Sequence, residues 1–150
     1  MDDVIAHVCD ALAALARRER NLSLVQSSAD LLPRAIADRD RLAQVLTNLV
    51  RNAVNHTPDG GIISIEAVSS GDHVDITVAD TGIGMEPGEL VRIFDRFYRT
   101  DQSRARGTGG SGLGLSIVRD LLNAMGATID AESTPGRGSV FTVSLRREAV

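Results

Sequence analysis

Between residues 39 and 57 the apolar side chains return at helical intervals. Leu42, Val45, Leu46, Leu49, Val50, Ala53 and Val54 follow the i, i+3, i+4, i+7 pattern, which predicts an amphipathic helix with one buried stripe. Asp38, just ahead, carries the short acceptor of an N-cap, and "TPDGG" at 57–61 ends the run. The same period recurs in "DDVIAHVCDALAALARRER" at 2–20, through Val4, Val8, Leu12 and Leu15. It recurs again from Leu113 through Ile117, Val118, Leu121, Leu122 and Met125, with Gly126 placed to cap. Elsewhere the period falls to two. "IISIEAV" at 62–68 and "HVDITVA" at 73–79, joined by "SSGD", predict a hairpin, and "ATIDAES" and "SVFTVSL" predict a second strand pair around "TPGRG". "LSLVQSS" at 22–28 reads as a short strand, and "LPRAIAD" at 31–37 as another or as an extended connector. Helices and strands alternate irregularly and hairpins are present, so the expected class is α+β, a mostly antiparallel sheet with helices on one face.

At 150 residues, 43% of them hydrophobic, the chain can close one core and not two, so a single domain is expected. A net charge of −4 argues against a non-specific polyanion binder, and nucleic acid is not an expected partner. The one cysteine, Cys9, cannot form an internal disulfide. No run approaches the roughly 18 to 20 apolar residues that span a bilayer, and no signal peptide is evident. A reducing, cytosolic setting is expected. All 16 basic residues are arginine. That excludes every nucleotide-binding design built on a phosphate-gripping lysine, the GxxxxGK[ST] loop included.

Several stretches carry candidate chemistry. Asn48, Asn52 and Asn55 fall within a stripe about 60° wide beside the apolar face of the helix at 39–57. They are either a solvated polar edge or amide oxygens that help to hold Mg²⁺, a cation that takes oxygen ligands. "DTGIGM" at 80–85 follows a strand. It is a simple turn, or it places the Asp80 carboxylate to accept from an exocyclic amine while Gly82 and Gly84 let backbone approach a flat base such as adenine. "GGSGLGLS" at 109–116 opens a helix whose unpaired N–H groups suit phosphate without any lysine; a flexible linker is the alternative. Between these stretches lie one short predicted helix, "GELVRIFDRFY" at 88–98, a polar tail and five arginines. Arg96 and Arg99 are suited to reach a terminal phosphate, whereas Arg92, Arg104 and Arg106 read as a solvated basic face. A connection of this length suggests a lid, with the two glycine stretches as its hinges.

Taken in order, "LAQVLTNLVRNAVNHT", "DTGIGM", "IFDRFYR", "GTGGSGLGLSIV" and "TPGRGSVF" resemble the N-box, first glycine box, F-box, second glycine box and closing glycine turn of one family. That family is the ATP-binding catalytic domain of bacterial sensor histidine kinases, in the superfamily shared with gyrase, Hsp90 and MutL. The resemblance covers roughly residues 20–146. It implies a two-layer α/β sandwich with an ATP lid at about 85–111, a catalytic domain over 21–150, and a helix at 1–20 as the junction to a dimerisation and phosphoacceptor domain. It implies ATP and Mg²⁺ as ligands. Asn52 would bind the metal, with Asn48 on the same edge, and Asp80 would bind the adenine amine, supported by the Ser139 hydroxyl through water. Gly82 and Gly84 would shape the base pocket, and Gly112 and Gly114 would present backbone to the phosphates, with Asn55, His56, Gly110, Leu113 and Leu115 as further ATP-binding positions. Arg99 with Arg96 would neutralise charge on the γ-phosphate.

Two departures matter. Asn55 and His56 stand where many members have lysine or arginine followed by tyrosine, so Asn55 brings no charge to the phosphates, although His56 can still lie beside adenine. Asn48 stands where hydrolytic relatives carry the glutamate that activates water, and an amide is no general base. The chain thus reads as built to transfer phosphate to a protein side chain. A conformational ATPase clamp and a non-catalytic interaction module are the alternatives. Of the histidines His7, His56 and His73, none sits in a phosphoacceptor setting. The resemblance therefore implies a monomeric fragment of a longer, membrane-anchored receptor whose partners are its own phosphoacceptor helical domain and, indirectly, a response regulator.

Overall fold

The computed structural model describes residues 2–28, 32, 34–95 and 114–148. Their order is α1 (Asp2–Arg20), β1 (Ser23–Ser28), α2 (Arg39–His56), β2 (Ile62–Ser70), β3 (His73–Asp80), α3 (Pro87–Leu90), α4 (Gly114–Ala124), β4 (Thr128–Thr134) and β5 (Gly138–Arg146). The described strands form one sheet in the order β1-β2-β3-β5-β4. β1 and β2 are parallel and every other pair is antiparallel. The expected α+β class and the helix and hairpin assignments hold, with ends shifted by one or two residues.

Alternation decides which side of the sheet is covered. Ile63, Ile65 and Ala67 of β2, Val74, Ile76 and Val78 of β3, and Phe141, Val143 and Leu145 of β5 are buried. Their neighbours in sequence face the other way and are mostly polar: Thr77 Oγ1 lies 3.5 Å from Thr142 Oγ1, and Ser144 Oγ donates to Asp75 Oδ1 at 2.7 Å. One face is thus packed and the other solvated, as antiparallel sheets permit.

α2 supplies the densest part of the core, with Val45, Leu46, Leu49 and Val50 fully buried. It packs between α1 and α4. α1 also contributes Ile5, Val8, Cys9, Leu12 and Ala16 to this core, so the helix at 2–20 and the elements after it share one apolar cluster. Asp38 caps α2 as expected, its Oδ1 accepting from Arg41 N at 3.0 Å. We expect Asp38→Ala to lower stability by about 1 kcal/mol. A shift of the urea midpoint with an unchanged m-value checks this, and an unchanged midpoint contradicts it.

One segment settles a choice the sequence left open, a strand or an extended connector, and another departs from the sequence reading. Residues 34–38 form a connector that touches the sheet through one bridge, Ala35 to Arg147, with Ile36 N donating to Arg146 O and Glu148 N to Arg34 O. The stretch predicted as a helix at 88–98 is helical only over Pro87–Leu90 and continues as turns to Asp95. There the bonds shorten to i→i+3, Arg92 N to Glu89 O and Asp95 N to Arg92 O, where the β-branched Val91 and Ile93 flank Arg92. Its spacing still serves packing: Ile93 is buried, and Phe94 meets Phe141 edge-on at 6.3 Å. Residues 96–98 of that stretch lie outside the described residues.

Candidate functional site

Alternation along β3 turns Asp80 inward at the strand's last position, where it is 8% exposed. A charged group so placed needs donors around it. Gly82 N donates to Asp80 Oδ1 at 2.8 Å, and Ser139 N donates to the same oxygen at 3.3 Å. Among the described residues both bonds go to Oδ1, which leaves Oδ2 for another donor. Burial pushes the carboxyl pKa up, and the two N–H groups pull it partly back. A buried carboxylate with a perturbed pKa and an accepting oxygen to spare is a candidate binding group.

The loop after Asp80 is wedged between α2 and the β4–β5 turn. Ile83 N donates to His56 O at 3.0 Å, and Gly136 N donates to Ile83 O at 2.7 Å. A Cβ at Gly82 would fall on the His56 carbonyl, and one at Gly84, φ +72°, on the Thr134 carbonyl. The close approach these glycines permit is therefore first to the chain's own backbone. They seat the loop so that Asp80 ends in a fixed position beside the end of α2.

Along α2, Asn48, Asn52, Asn55 and His56 are all half-buried. Asn48 Nδ2 donates to Gly114 O at 3.5 Å, a long bond that ties the stripe to the first turn of α4. At the other end of α2, His56 O holds the Asp80 loop. From Asn48 to His56 is roughly 12 Å along the axis, so the asparagine stripe runs from the α4 N-terminus to the loop around Asp80. Gly114 is exposed and Leu115 half-buried at that N-terminus. Arg96, Arg99, Gly110, Gly112 and Leu113 lie outside the described residues, as does the expected lid from residue 96 to 111.

Residues 37–149 match the family described as histidine kinase-, DNA gyrase B-, and HSP90-like ATPase. The chain belongs to that family. Nucleotide binding is the property its members share in that description. Phosphate regulon sensor protein PhoR of Pseudomonas aeruginosa is 44% identical over 133 residues, which is 89% of this chain and 29% of PhoR. The chain spans about a fifth to a third of the length of the curated relatives it matches. Among solved structures, the nucleotide-free catalytic domain of histidine kinase ThkA superposes with a TM-score of 0.82 at 29% identity, covering 98% of this chain and 92% of that one. Full-length ShkA in complex with AMPPNP gives a TM-score of 0.84 at 31% identity, covering 99% of this chain and 30% of ShkA. The fold expected from the motifs is the fold of these kinase domains.

Ser139 takes a place that its motif did not reveal. Its backbone N–H reaches Asp80, while its hydroxyl lies 2.8 Å from Ser133 Oγ. Ser133 itself was missed. The signal was there in the period-two pattern of β4, where Ile129, Ala131 and Ser133 share a face: a lone serine closes an otherwise apolar row. Thr57 was missed as well; it is fully buried at the end of α2, its Oγ1 donating to Ala53 O at 2.6 Å.

Proposed function

We propose that this chain is the ATP-binding catalytic module of a sensor histidine kinase, which binds Mg-ATP and passes the γ-phosphate to a histidine on a separate helical domain of the parent protein. The observation that carries the reading is the buried Asp80 carboxylate, with one oxygen left to accept, fixed beside the asparagine stripe of α2. Asp80 accepts from the adenine amine, and Gly82 and Gly84 hold the loop that forms that end of the pocket. Asn55 and His56 lie along the base and sugar. Gly110, Gly112, Leu113, Gly114 and Leu115 offer backbone N–H groups to the phosphates at the N-terminus of α4.

The residues present fit a magnesium ion of one kind. Among the described residues no group of three His, Cys, Asp or Glu side chains could cage a metal. An amide oxygen from Asn52 suits a cation that takes its other ligands from phosphate and water. When bound, Mg²⁺ would neutralise phosphate charge. Arg99 and Arg96 would add positive charge at the γ-phosphate, the electrostatic work that dominates phosphoryl transfer. Asn48, with its amide donating to Gly114 O, takes no proton from water, which favours transfer over hydrolysis. Among the described residues no helix is long and apolar enough to cross a membrane. We place the module on the cytoplasmic side of a membrane-anchored, dimeric parent, itself monomeric, with a response regulator as the indirect partner and no role for nucleic acid.

The test is calorimetric titration with AMPPNP with and without Mg²⁺, then ATP labelled in the γ-phosphate with the parent's helical domain added in trans. Label on a histidine of that domain supports the reading. Rapid release of free phosphate with no label on protein supports the conformational ATPase instead. Asn52→Ala should reduce the gain in affinity that Mg²⁺ confers by roughly tenfold and leave metal-free binding unchanged. An equal loss with and without the ion would remove Asn52 from the metal.

A further inference from the structure

Asp80, Ser139 and Ser133 stand side by side across three strands. The register pairs Asp80 of β3 with Ser139 of β5, and Ser139 with Ser133 of β4. Residues directly opposite one another in a sheet point to the same face, so the three form one polar row on the buried side. Each is at least partly buried, Asp80 and Ser139 nearly completely so.

The hydrogen bonds of this row have one consistent direction. Ser133 Oγ has three partners: Met85 N at 2.8 Å, Gly138 O at 3.1 Å and Ser139 Oγ at 2.8 Å. A hydroxyl owns one proton and two acceptor sites. Met85 N–H can only donate, and the Gly138 carbonyl can only accept. All three contacts are satisfied together only if Ser133 gives its proton to Gly138 O and accepts from Met85 N–H and from the Ser139 hydroxyl. The Ser139 proton is then committed to Ser133, and its oxygen keeps only lone pairs for anything else. Beside it Asp80 Oδ1 accepts from Gly82 N and Ser139 N, and the carboxylate form of Asp80 has only acceptors to offer a ligand. Hence the floor of the site is built of acceptors alone.

We propose that Ser133 is a positioning residue that determines base specificity, because it holds the Ser139 hydroxyl as an acceptor so that the floor takes an exocyclic amine and rejects a carbonyl. Adenine turns the N–H donors of its 6-amino group toward this row, whereas guanine, although it carries a 2-amino group, has a carbonyl at position 6. An oxo-purine places a carbonyl oxygen against lone pairs, and a buried acceptor without a proton is penalised. The inference rests on the nucleotide reading of the Asp80 site and adds a residue that reading did not contain. It also explains why Ser133 reaches Met85, two residues before α3: the same hydroxyl that orients the floor anchors the root of the segment that follows the first glycine stretch.

The experiment compares dissociation constants of non-hydrolysable ATP and GTP analogues for the chain and its variants by calorimetry. Without the Ser133 oxygen, the Ser139 hydroxyl turns freely and donates to a carbonyl. Ser133→Ala should therefore lower the preference for the ATP analogue by about tenfold, mainly by tightening the GTP analogue. Ser133→Thr keeps the hydroxyl and should keep the preference within about twofold. On a Ser139→Ala background, Ser133→Ala should change the preference no further, since its effect runs through Ser139. Should Ser133→Ala not fold, Ser139→Ala carries the test, because loss of the acceptor must by itself lower the preference. Equal weakening of both analogues, with the preference intact, overturns the inference and leaves Ser133 as loop support. Asp80→Asn separates this from failure of the nucleotide reading. If it leaves ATP-analogue affinity unchanged, that reading falls and this inference with it.

Discussion

Asp80→Asn is expected to weaken nucleotide binding by about 10–100-fold, the scale of one lost hydrogen bond to a charged acceptor, and to leave the fold at least as stable at neutral pH as before. The two halves of this outcome have one cause. Burial raises the Asp80 pKa in the folded state, so the native protein holds an ionised carboxyl less readily than the unfolded chain does. Below the ordinary carboxylate range the group is protonated in both states and exacts nothing. As pH rises through the raised folded value, the folded state must carry the buried charge, and stability is lost relative to the unfolded chain. Asparagine has no such ionisation, and its Oδ1 can still accept from Gly82 N and Ser139 N. The melting temperature of Asp80→Asn should therefore match or exceed that of the wild type near neutrality, and the gap should close as pH falls into the acid range. Thermal melts across pH, paired with calorimetric titration of AMPPNP, read both halves. A variant that melts lower at neutral pH than at acid pH, relative to wild type, would show that Asp80 is a structural carboxylate.

A residue that costs stability when ionised and is nonetheless held in place by two backbone donors has the profile of a binding group. Core positions show the opposite: Leu46, Ile65 and Val143 are fully buried and carry no polar atom that needs a partner. The contrast singles out as the candidate site one end of the sheet, where β3 and β4 end and β5 begins in the row of Asp80, Ser139 and Ser133.

How much of this was legible in the sequence depended on whether the interaction was local. The helix at 39–56 was readable because seven buried residues recur within one element, and its cap because Asp38 sits next to it. Asp80 was readable because it ends an alternating strand and precedes two glycines. What local pattern could not supply was who sits against those glycines. Gly84 meets Thr134, and Ser133 meets Met85, about fifty positions along the chain; only the insertion of β5 between β3 and β4 brings them together. Seen in sequence, a glycine in "DTGIGM" looks like room for a ligand. In the fold it is room for the chain. The short helix at 88–98 was overread because Leu90, Ile93 and Phe94 keep helical spacing whether the backbone closes as a helix or as successive turns.

The same crossing of strands sets up a large loss of stability on adding a single methyl group. Gly138 opens β5 at φ +94°, and a Cβ there would fall on the Asp80 carbonyl, with Gly82 N at 3.1 Å. Neither neighbour can yield, because both are backbone and both belong to the hydrogen-bonded frame around Asp80. Gly138→Ala therefore combines a backbone conformation unfavourable to an L side chain, about 1–2 kcal/mol, with an overpacked contact, about 1–3 kcal/mol. A total of roughly 2–5 kcal/mol follows, and any relief requires β5 to move off β3 and take Ser139 N away from Asp80. Gly136, in the same turn at φ +78°, is the control: a Cβ there meets nothing within 4 Å, and its N–H stays available to Ile83 O. Gly136→Ala should lose only the conformational part, about 1–2 kcal/mol, and keep nucleotide affinity. Urea unfolding of both variants, with AMPPNP titration at a temperature where each is folded, reads the difference. If the two alanines cost the same and bind alike, the contact at Asp80 is not what requires glycine at 138, and the loop around the carboxylate is softer than its hydrogen bonds imply.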